Sequence, residues 1–149
     1  MSELHLYDFD GTLFRSPHLD GIPKWWVSDF SLSPPCVPQK PGPEWWNQKV
    51  VGEARRSIAD QNVWCIMVTG RSDTVGGFRW RVPELLKGAG LRFDAVYLND
   101  TGGATDAFKK RVITDTLRRF PQIETVHIWE DRLNHLASFC KHVQSLGRA

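Results

Sequence analysis

The sequence predicts a single α/β domain in which a parallel sheet is covered by helices on both faces. Four short apolar runs have the length and composition of buried strands, and stretches with helical periodicity separate them. Strands that alternate with helices pair in parallel, because each crossover helix returns the chain to the same edge of the sheet. Ligands of such sheets bind at the carboxyl ends of the strands. The residues that follow the apolar runs are therefore the first candidates for a functional site.

The predicted strands cover residues 4–7, 63–68, 95–98 and 125–129. Apolar residues three to five positions apart predict four helices, with core positions Trp46, Val50, Ala54 and Ile58; Val75, Phe78, Val82 and Leu85; Phe108, Val112, Leu117 and Phe120; and Leu133, Leu136, Cys140 and Val143. Thr105 stands where the third helix needs an N-cap. Gly88 and Gly90 are suited to end the second helix.

A proline-rich segment interrupts this alternation between the first strand and the first helix. Residues 17–43 contain seven of the nine prolines, together with the pair Trp25 and Trp26. Proline at this density excludes a regular helix or a central strand, and the aromatic content argues against a disordered linker. We therefore predict one domain over residues 1–149 with a structured insertion at about 17–46. This insertion is expected to form a wall beside the site and to contact the leaving group of the substrate. Its tryptophans are interpreted first as packing residues, with stacking of Trp25 or Trp26 on a nucleobase as the alternative.

Composition and charge exclude several classes of protein. The formal net charge is +2, which permits a phosphorylated substrate but does not by itself indicate a nucleic-acid-binding surface. Cys36, Cys65 and Cys140 are widely spaced, which makes a zinc site or a disulfide framework improbable. No apolar run reaches the ~20 residues that span a bilayer, and a strand-like run follows Met1 too closely to leave room for a signal peptide. A cytoplasmic protein is expected.

The chemistry is concentrated in the stretch DFDGT, which directly follows the first predicted strand. Asp8 and Asp10 can serve different roles on one phosphoryl group, because one carboxylate attacks phosphorus while the other transfers a proton. Two neighbouring carboxylates repel each other unless a cation neutralises them. Oxygen ligands and a phosphate substrate favour Mg²⁺. Gly11 allows the backbone to turn close to the substrate.

The order of these motifs resembles that of the haloacid dehalogenase-like (HAD) phosphohydrolase superfamily. DxDGT after an apolar strand, a threonine at the end of the next strand, a lysine early in a helix and an acidic pair after a later strand all occur in that order. The resemblance implies a Rossmann-like fold. About fifty residues separate residues 13 and 63, so we expect little or no cap domain and an open site.

The resemblance also implies a role for each residue. Asp8 is the expected nucleophile that forms an aspartyl-phosphate, and Asp10 is the general acid and base, whose backbone carbonyl also touches the metal. The remaining expected site residues are Thr69 and Lys109 in catalysis, Thr12, Gly70 and Arg71 in substrate binding, and Asp131 and Glu130 in metal binding beside Asp8 and Asp10. Lys110 is an open alternative to Lys109, and the roles of Glu130 and Asp131 could be exchanged.

A narrower resemblance extends over most of the chain. The stretches DFDGTLFRSP, PEWW, VTGR, GLRFD and WEDRLNH resemble the HAD domain of Swiss Army Knife RNA-repair proteins. This implies a Mg²⁺-dependent phosphatase for phosphorylated RNA ends, other nucleic-acid ends or nucleotides, with RNA-processing proteins as partners. Two alternatives stay open: a phosphatase for a small metabolite such as a sugar phosphate or a mononucleotide, and a catalytically idle binding module.

Overall fold

A computed structural model describes residues 1–17, 28 and 30–149 of the chain. The strands are β1 (Glu3–Tyr7), β2 (Val63–Ser72), β3 (Ala95–Asn99) and β4 (Thr125–Trp129). The helices are α1 (Gln48–Ala59), α2 (Phe78–Gly88), α3 (Thr105–Arg119) and α4 (Leu133–Ser145), and a short 3-10 helix spans Pro43–Trp45. Each of the four predicted strands and each of the four predicted helices is present.

The four strands form one parallel sheet in the order β3-β2-β1-β4. β1 therefore lies between β2 and β4, and Tyr7 is level with Met67 on one side and with Trp129 on the other. The next residue, Asp8, leaves the middle of the carboxyl edge. The strands are parallel and alternate with helices along the chain, which is the predicted Rossmann-like α/β architecture. The prediction of the fold is therefore confirmed.

Alternate residues of the central strands point into two separate cores. Leu4 and Leu6 pack with Phe108 of α3 and Phe139 of α4 on one face. On the other face, Tyr7 belongs to a cluster that includes buried residues of α1 and α2. The period of two that defines a β-strand thus places α3 and α4 on the opposite side of the sheet from α1 and α2.

The described part of the proline-rich segment packs onto the body of the protein. Leu32 and Val37 are fully buried in the core on the side of α1 and α2. The guanidinium of Arg81 donates to the carbonyl oxygens of Leu32 at 2.7 Å, Pro38 at 2.8 Å and Gln39 at 3.0 Å. This buried arginine fastens the segment to α2. Trp25 and Trp26 lie outside the described residues.

Three of the sequence-based element boundaries are wrong. Val75 is 55% exposed and precedes α2, because Gly76 and Gly77 adopt positive φ values of 75° and 69° and keep the chain from being helical there. Trp46 also precedes its helix. Thr105 is the first residue of α3 rather than its cap, and Ala104 occupies the cap position without a side-chain hydrogen bond. The second helix ends as predicted, at Gly88, and Gly90 has a φ of 72°.

No second sheet occurs among residues 1–17, 28 and 30–149, so a cap with a sheet of its own is absent from this part of the chain. Within the same residues, each helix is too short or too polar to cross a bilayer.

Candidate active site

The carboxyl edge of the sheet brings together residues that are far apart in the sequence. Asp8 follows β1, while Glu130 and Asp131 follow the neighbouring strand β4. Thr69 belongs to β2, and the pairing of β2 with β3 shifts register between Thr69 and Ser72. Lys109 reaches the same edge from the first half of α3. The order of the strands therefore assembles most of the residues predicted from the motifs.

Asp8 is a buried carboxylate with two donors. Lys109 Nζ lies 2.8 Å from Oδ1, and the Thr12 hydroxyl donates to Oδ2 at 3.2 Å. Burial raises the pKa of Asp8 to about 6, Lys109 opposes this rise, and a hydrogen bond with Asp131 and the charge of Asp10 add to it. The carboxylate is therefore ionised at neutral pH, with its charge balanced mainly by Lys109.

Lys109 and Lys110 leave α3 in different directions. Lys109 is 1% exposed and lies 2.8 Å from both Asp8 and Glu130, whereas Lys110 pairs with Asp106 on the outer side of the helix at 2.9 Å. Burial disfavours the charge on Lys109, but Asp8 and Glu130 outweigh it and raise the pKa of the amine. Of the two lysines, only Lys109 touches the predicted nucleophile.

Asp8, Glu130 and Asp131 form an acidic cluster at the mouth of the site. Each offers one carboxylate oxygen, and the three atoms lie within 4.8 Å of one another. A side chain at Gly11, which has a φ of 75°, would collide with the Asp131 carboxylate. An all-oxygen set with three negative charges and one lysine suits a hard divalent cation such as Mg²⁺. The carboxylates of Asp8 and Asp131 are close enough to repel each other, and a cation bound by both would relieve this repulsion.

Asp10 is separate from this acidic cluster and is held by an arginine. Arg71 Nε lies 2.9 Å from Oδ2 and 3.1 Å from Oδ1 of Asp10, and Nη2 lies 2.7 Å from Oδ1. The Ser16 hydroxyl also donates to Oδ1. Such a two-pronged contact fixes the plane of the carboxylate. Arg71, which the sequence suggested as a substrate ligand, thus has a partner within the protein, and its contact with substrate stays a prediction.

Thr69 and Gly70 belong to the last part of β2. Thr69 is 1% exposed, and its hydroxyl oxygen accepts the backbone N–H of Arg71 at 3.2 Å, so its own proton can still be donated. Gly70 packs so closely against Thr105 that a Cβ would collide with that side chain. This part of β2 therefore lies directly beside the first residue of α3.

Three residues that support the site were not expected from the sequence. Ser16 contacts Asp10, Ser31 accepts a hydrogen bond from Arg71 Nη1 at 2.7 Å, and the Phe78 ring lies 4.6 Å from the Arg71 guanidinium carbon. Ser31 is fully buried and belongs to the proline-rich segment. No local signal in the sequence pairs Ser31 with a residue 40 positions away. The segment thus contacts the site through Arg71.

The rim of the site carries exposed cations. Arg15 follows the DFDGT loop, and Arg132 follows the acidic pair; both are exposed. Neither forms an ion pair with an acidic residue in the described part of the chain. Leu133, next to Arg132, is 80% exposed. Two exposed arginines without an ion pair among the described residues therefore follow the two loops that carry the carboxylates of the site.

Comparison with known proteins identifies the family. The model of HAD domain family 1 in Swiss Army Knife RNA repair proteins matches residues 9–149. The chain belongs to this family. The matched range begins immediately after Asp8 and includes Asp10, Lys109 and the acidic pair.

Two further relatives of this HAD domain are longer proteins. An uncharacterized protein of Saccharomyces cerevisiae is 26% identical over an alignment of 176 positions. The alignment covers 98% of this chain and 38% of the yeast protein. The solved structure of the Pnkp1/Rnl/Hen1 RNA repair complex superimposes with a TM-score of 0.64 at 16% identity, covering 95% of this chain and 40% of the other. This structural likeness supports the HAD-like fold. The chain spans about two fifths of the length of both proteins.

Proposed function

We propose that this HAD domain is a Mg²⁺-dependent phosphatase that works through an aspartyl-phosphate on Asp8 and acts on phosphorylated RNA ends. The observation that carries the proposal is the buried Asp8 carboxylate, which touches Lys109 and lies within 4.8 Å of Glu130 and Asp131. A buried carboxylate without a partner of opposite charge is energetically unfavourable, and Lys109 provides that partner for Asp8. Clusters of buried charged groups of this kind are typical of sites that transfer a charged group.

In this mechanism an oxygen of Asp8 attacks phosphorus, and the bond between phosphorus and the leaving oxygen breaks. Lys109 offsets the charge on Asp8, while the Thr69 hydroxyl and the Gly70 amide donate to phosphoryl oxygens. Asp10, oriented by Arg71, gives a proton to the leaving oxygen and then takes one from the water that hydrolyses the acyl phosphate. Mg²⁺, when bound by Asp8, Glu130, Asp131 and the carbonyl of Asp10, would neutralise the charge of phosphate and carboxylates.

Three features favour a nucleic-acid end over a small metabolite as substrate. The family is described by its occurrence in RNA repair proteins. The described residues contain no sheet that would close over the site, and the exposed guanidinium groups of Arg15 and Arg132 can contact a neighbouring phosphodiester. RNA-processing proteins are the proposed partners, in line with the repair complex that contains the structural neighbour.

A substrate panel tests the proposal. The wild-type protein and Asp8→Asn are assayed with 3′- and 5′-phosphorylated RNA and DNA oligonucleotides, nucleotides, sugar phosphates and an aryl phosphate, in Mg²⁺ and in EDTA. We expect Mg²⁺-dependent hydrolysis with the highest kcat/KM on an RNA end. A preference for sugar phosphates over every oligonucleotide would exclude the RNA assignment alone. Absence of turnover on every substrate would exclude the phosphatase and leave the binding module.

A further inference from the structure

Outside the active site, one other group of potential metal ligands occurs among the described residues. Glu3 and His5 on β1 and His127 on β4 each offer a ligand atom within 4.8 Å of the other two. His5 and His127 are paired across the two parallel strands, and their rings lie 4.7 Å apart. All three side chains are on the face of the sheet that carries Tyr7 and Trp129. The catalytic mechanism uses none of them.

The contacts of His5 show which of its nitrogens faces the other candidate ligands. Its Nδ1 lies 2.7 Å from the Ser57 hydroxyl, which in turn donates to the Glu53 carbonyl at 3.1 Å. The Ser57 hydroxyl also lies 2.8 Å from the Tyr7 hydroxyl, so Nδ1 of His5 can either donate to Ser57 or accept from it. In the tautomer in which Nδ1 donates, the lone pair of a neutral His5 is on Nε2. A ring nitrogen that donates to a neighbour in this way is typical of histidines that bind metals.

The Nε2 of His5 faces the Oε2 of Glu3 at 2.9 Å. A contact this short needs either a hydrogen on Nε2, which donates to the carboxylate, or a metal ion bound by both atoms. The Nε2 of His127 lies 3.9 Å from the same Glu3 oxygen. This distance is too long for a hydrogen bond. A tetrahedral ion with bonds of ~2.0–2.1 Å separates its ligand atoms by roughly 3.3–3.4 Å, so both distances are within about 0.6 Å of that value.

We propose that Glu3, His5 and His127 form a second metal site that binds a transition metal ion of the zinc type. Two imidazoles and one carboxylate suit Zn²⁺ and its neighbours in the affinity series rather than Mg²⁺. The side chains of Glu3 and His127 are 34% and 47% exposed, so water can complete the coordination. Zinc was improbable from the sequence because cysteines and histidines form no cluster along the chain, whereas these ligands come together through the pairing of β1 with β4.

This second site is distinct from the catalytic carboxylates. His5 is three residues before Asp8 in an extended strand, a separation of roughly 10 Å. The stacked rings of Tyr7 and Trp129, 4.1 Å apart, lie on the same face between the two positions. A metal ion bound here would tie the edge strand β4 to β1. Its expected effect is to stabilise the sheet, with no part in phosphoryl transfer.

Zinc binding to untagged, EDTA-treated and desalted protein tests the proposal. Isothermal titration with Zn²⁺ is carried out in excess Mg²⁺, which occupies the catalytic carboxylates. We expect one Zn²⁺ per chain, a rise in melting temperature, and a Co²⁺ derivative with the intense visible bands of tetrahedral coordination. His127→Gln and Glu3→Gln should each weaken binding at least tenfold. Ser57→Ala, which removes the partner of His5 Nδ1, should weaken it by about tenfold or more.

Two control variants make a negative result decisive. His142→Gln removes a histidine that bonds to Thr114 on the other face of the sheet, and it should bind Zn²⁺ as the wild type does. Asp131→Asn should also retain Zn²⁺ binding, even though it alters the catalytic cluster. Melting curves without metal check that each variant folds. Wild-type binding no tighter than that of His127→Gln, or binding lost in Asp131→Asn, would overturn the proposal and leave a hydrogen bond between His5 and Glu3.

Discussion

Replacement of Arg71 by lysine tests whether this arginine orients the general acid. Arg71 holds Asp10 through Nε and Nη2, with contacts between 2.7 and 3.1 Å. Lysine keeps the positive charge but cannot form a two-pronged contact with a carboxylate. The Arg71→Lys variant therefore preserves the local charge and removes the orientation of the Asp10 carboxyl plane.

The size of the effect follows from the contacts that are lost. One hydrogen bond between charged groups contributes about 1.5–3 kcal/mol. If that energy is lost only in the step that needs the proton of Asp10, the step slows by about 10- to 150-fold. This loss reaches only the lower end of the range of about 10²–10⁴-fold that general acid catalysis contributes as a whole, as expected when the acid is misoriented but not removed.

Two substrates with different leaving groups provide the assay. For both, kcat/KM covers the steps up to the aspartyl-phosphate, the first irreversible point. The ribose oxygen of an RNA end needs a proton to leave, whereas the oxygen of an activated aryl phosphate does not. We expect Arg71→Lys to lower kcat/KM by about 10- to 150-fold on the RNA end and less than threefold on the aryl phosphate.

Arg81→Lys is the matched control, because Arg81 is also buried but binds backbone carbonyls instead of Asp10. It should show no dependence on the leaving group. Equal losses on both substrates in Arg71→Lys would refute the orienting role. That result would instead support the substrate contact suggested by the sequence, since a ligand of the phosphoryl group is needed by both substrates.

Three further outcomes are expected. Asp8→Asn should fold normally but lose turnover, and beryllium fluoride, a mimic of the aspartyl-phosphate, should protect wild-type protein but not this variant against thermal unfolding. Arg81→Met should lower the free energy of unfolding in urea by at least about 2 kcal/mol, because three carbonyls lose a charged donor, while the exposed neighbour Arg79→Met should have little effect. Burial, reinforced by Asp94, raises the pKa of the Cys65 thiol to about 12, so iodoacetamide should label the exposed Cys140 and spare Cys65 in native protein, as read by mass spectrometry.

The elements of the fold could be predicted because each is encoded locally. An apolar run of strand length and an apolar repeat of three or four residues can be read within a short window. The order β3-β2-β1-β4 was not predicted, since it depends on which strands pair at long range. The start of α2 was misplaced for a local reason. Val75 continues the apolar repeat of α2, but Gly76 and Gly77 lie between Val75 and the first helical residue, Phe78. Because both glycines take left-handed conformations, the helix begins only after them.

The contacts in the site also divide into those that follow from the local sequence and those that form only when the chain folds. Asp8 and Asp10 share one loop, so their proximity follows from the sequence. The contact between Asp10 and Arg71 spans 61 positions, and that between Arg71 and Ser31 spans 40. Charge and spacing do not determine such pairs. They arise because the end of β2 and the proline-rich segment meet beside the DFDGT loop, which is a property of the folded chain.

The choice between Lys109 and Lys110, in contrast, could have been made from the sequence. Successive residues of an α-helix are about 100° apart, so two adjacent lysines cannot both face the sheet. The buried residues Val112 and Ile113 lie three and four positions after Lys109, on the same face. Lys109 therefore belongs to the inward stripe of α3. A lysine in an apolar stripe needs acidic partners to remain charged, and Asp8 and Glu130 supply them.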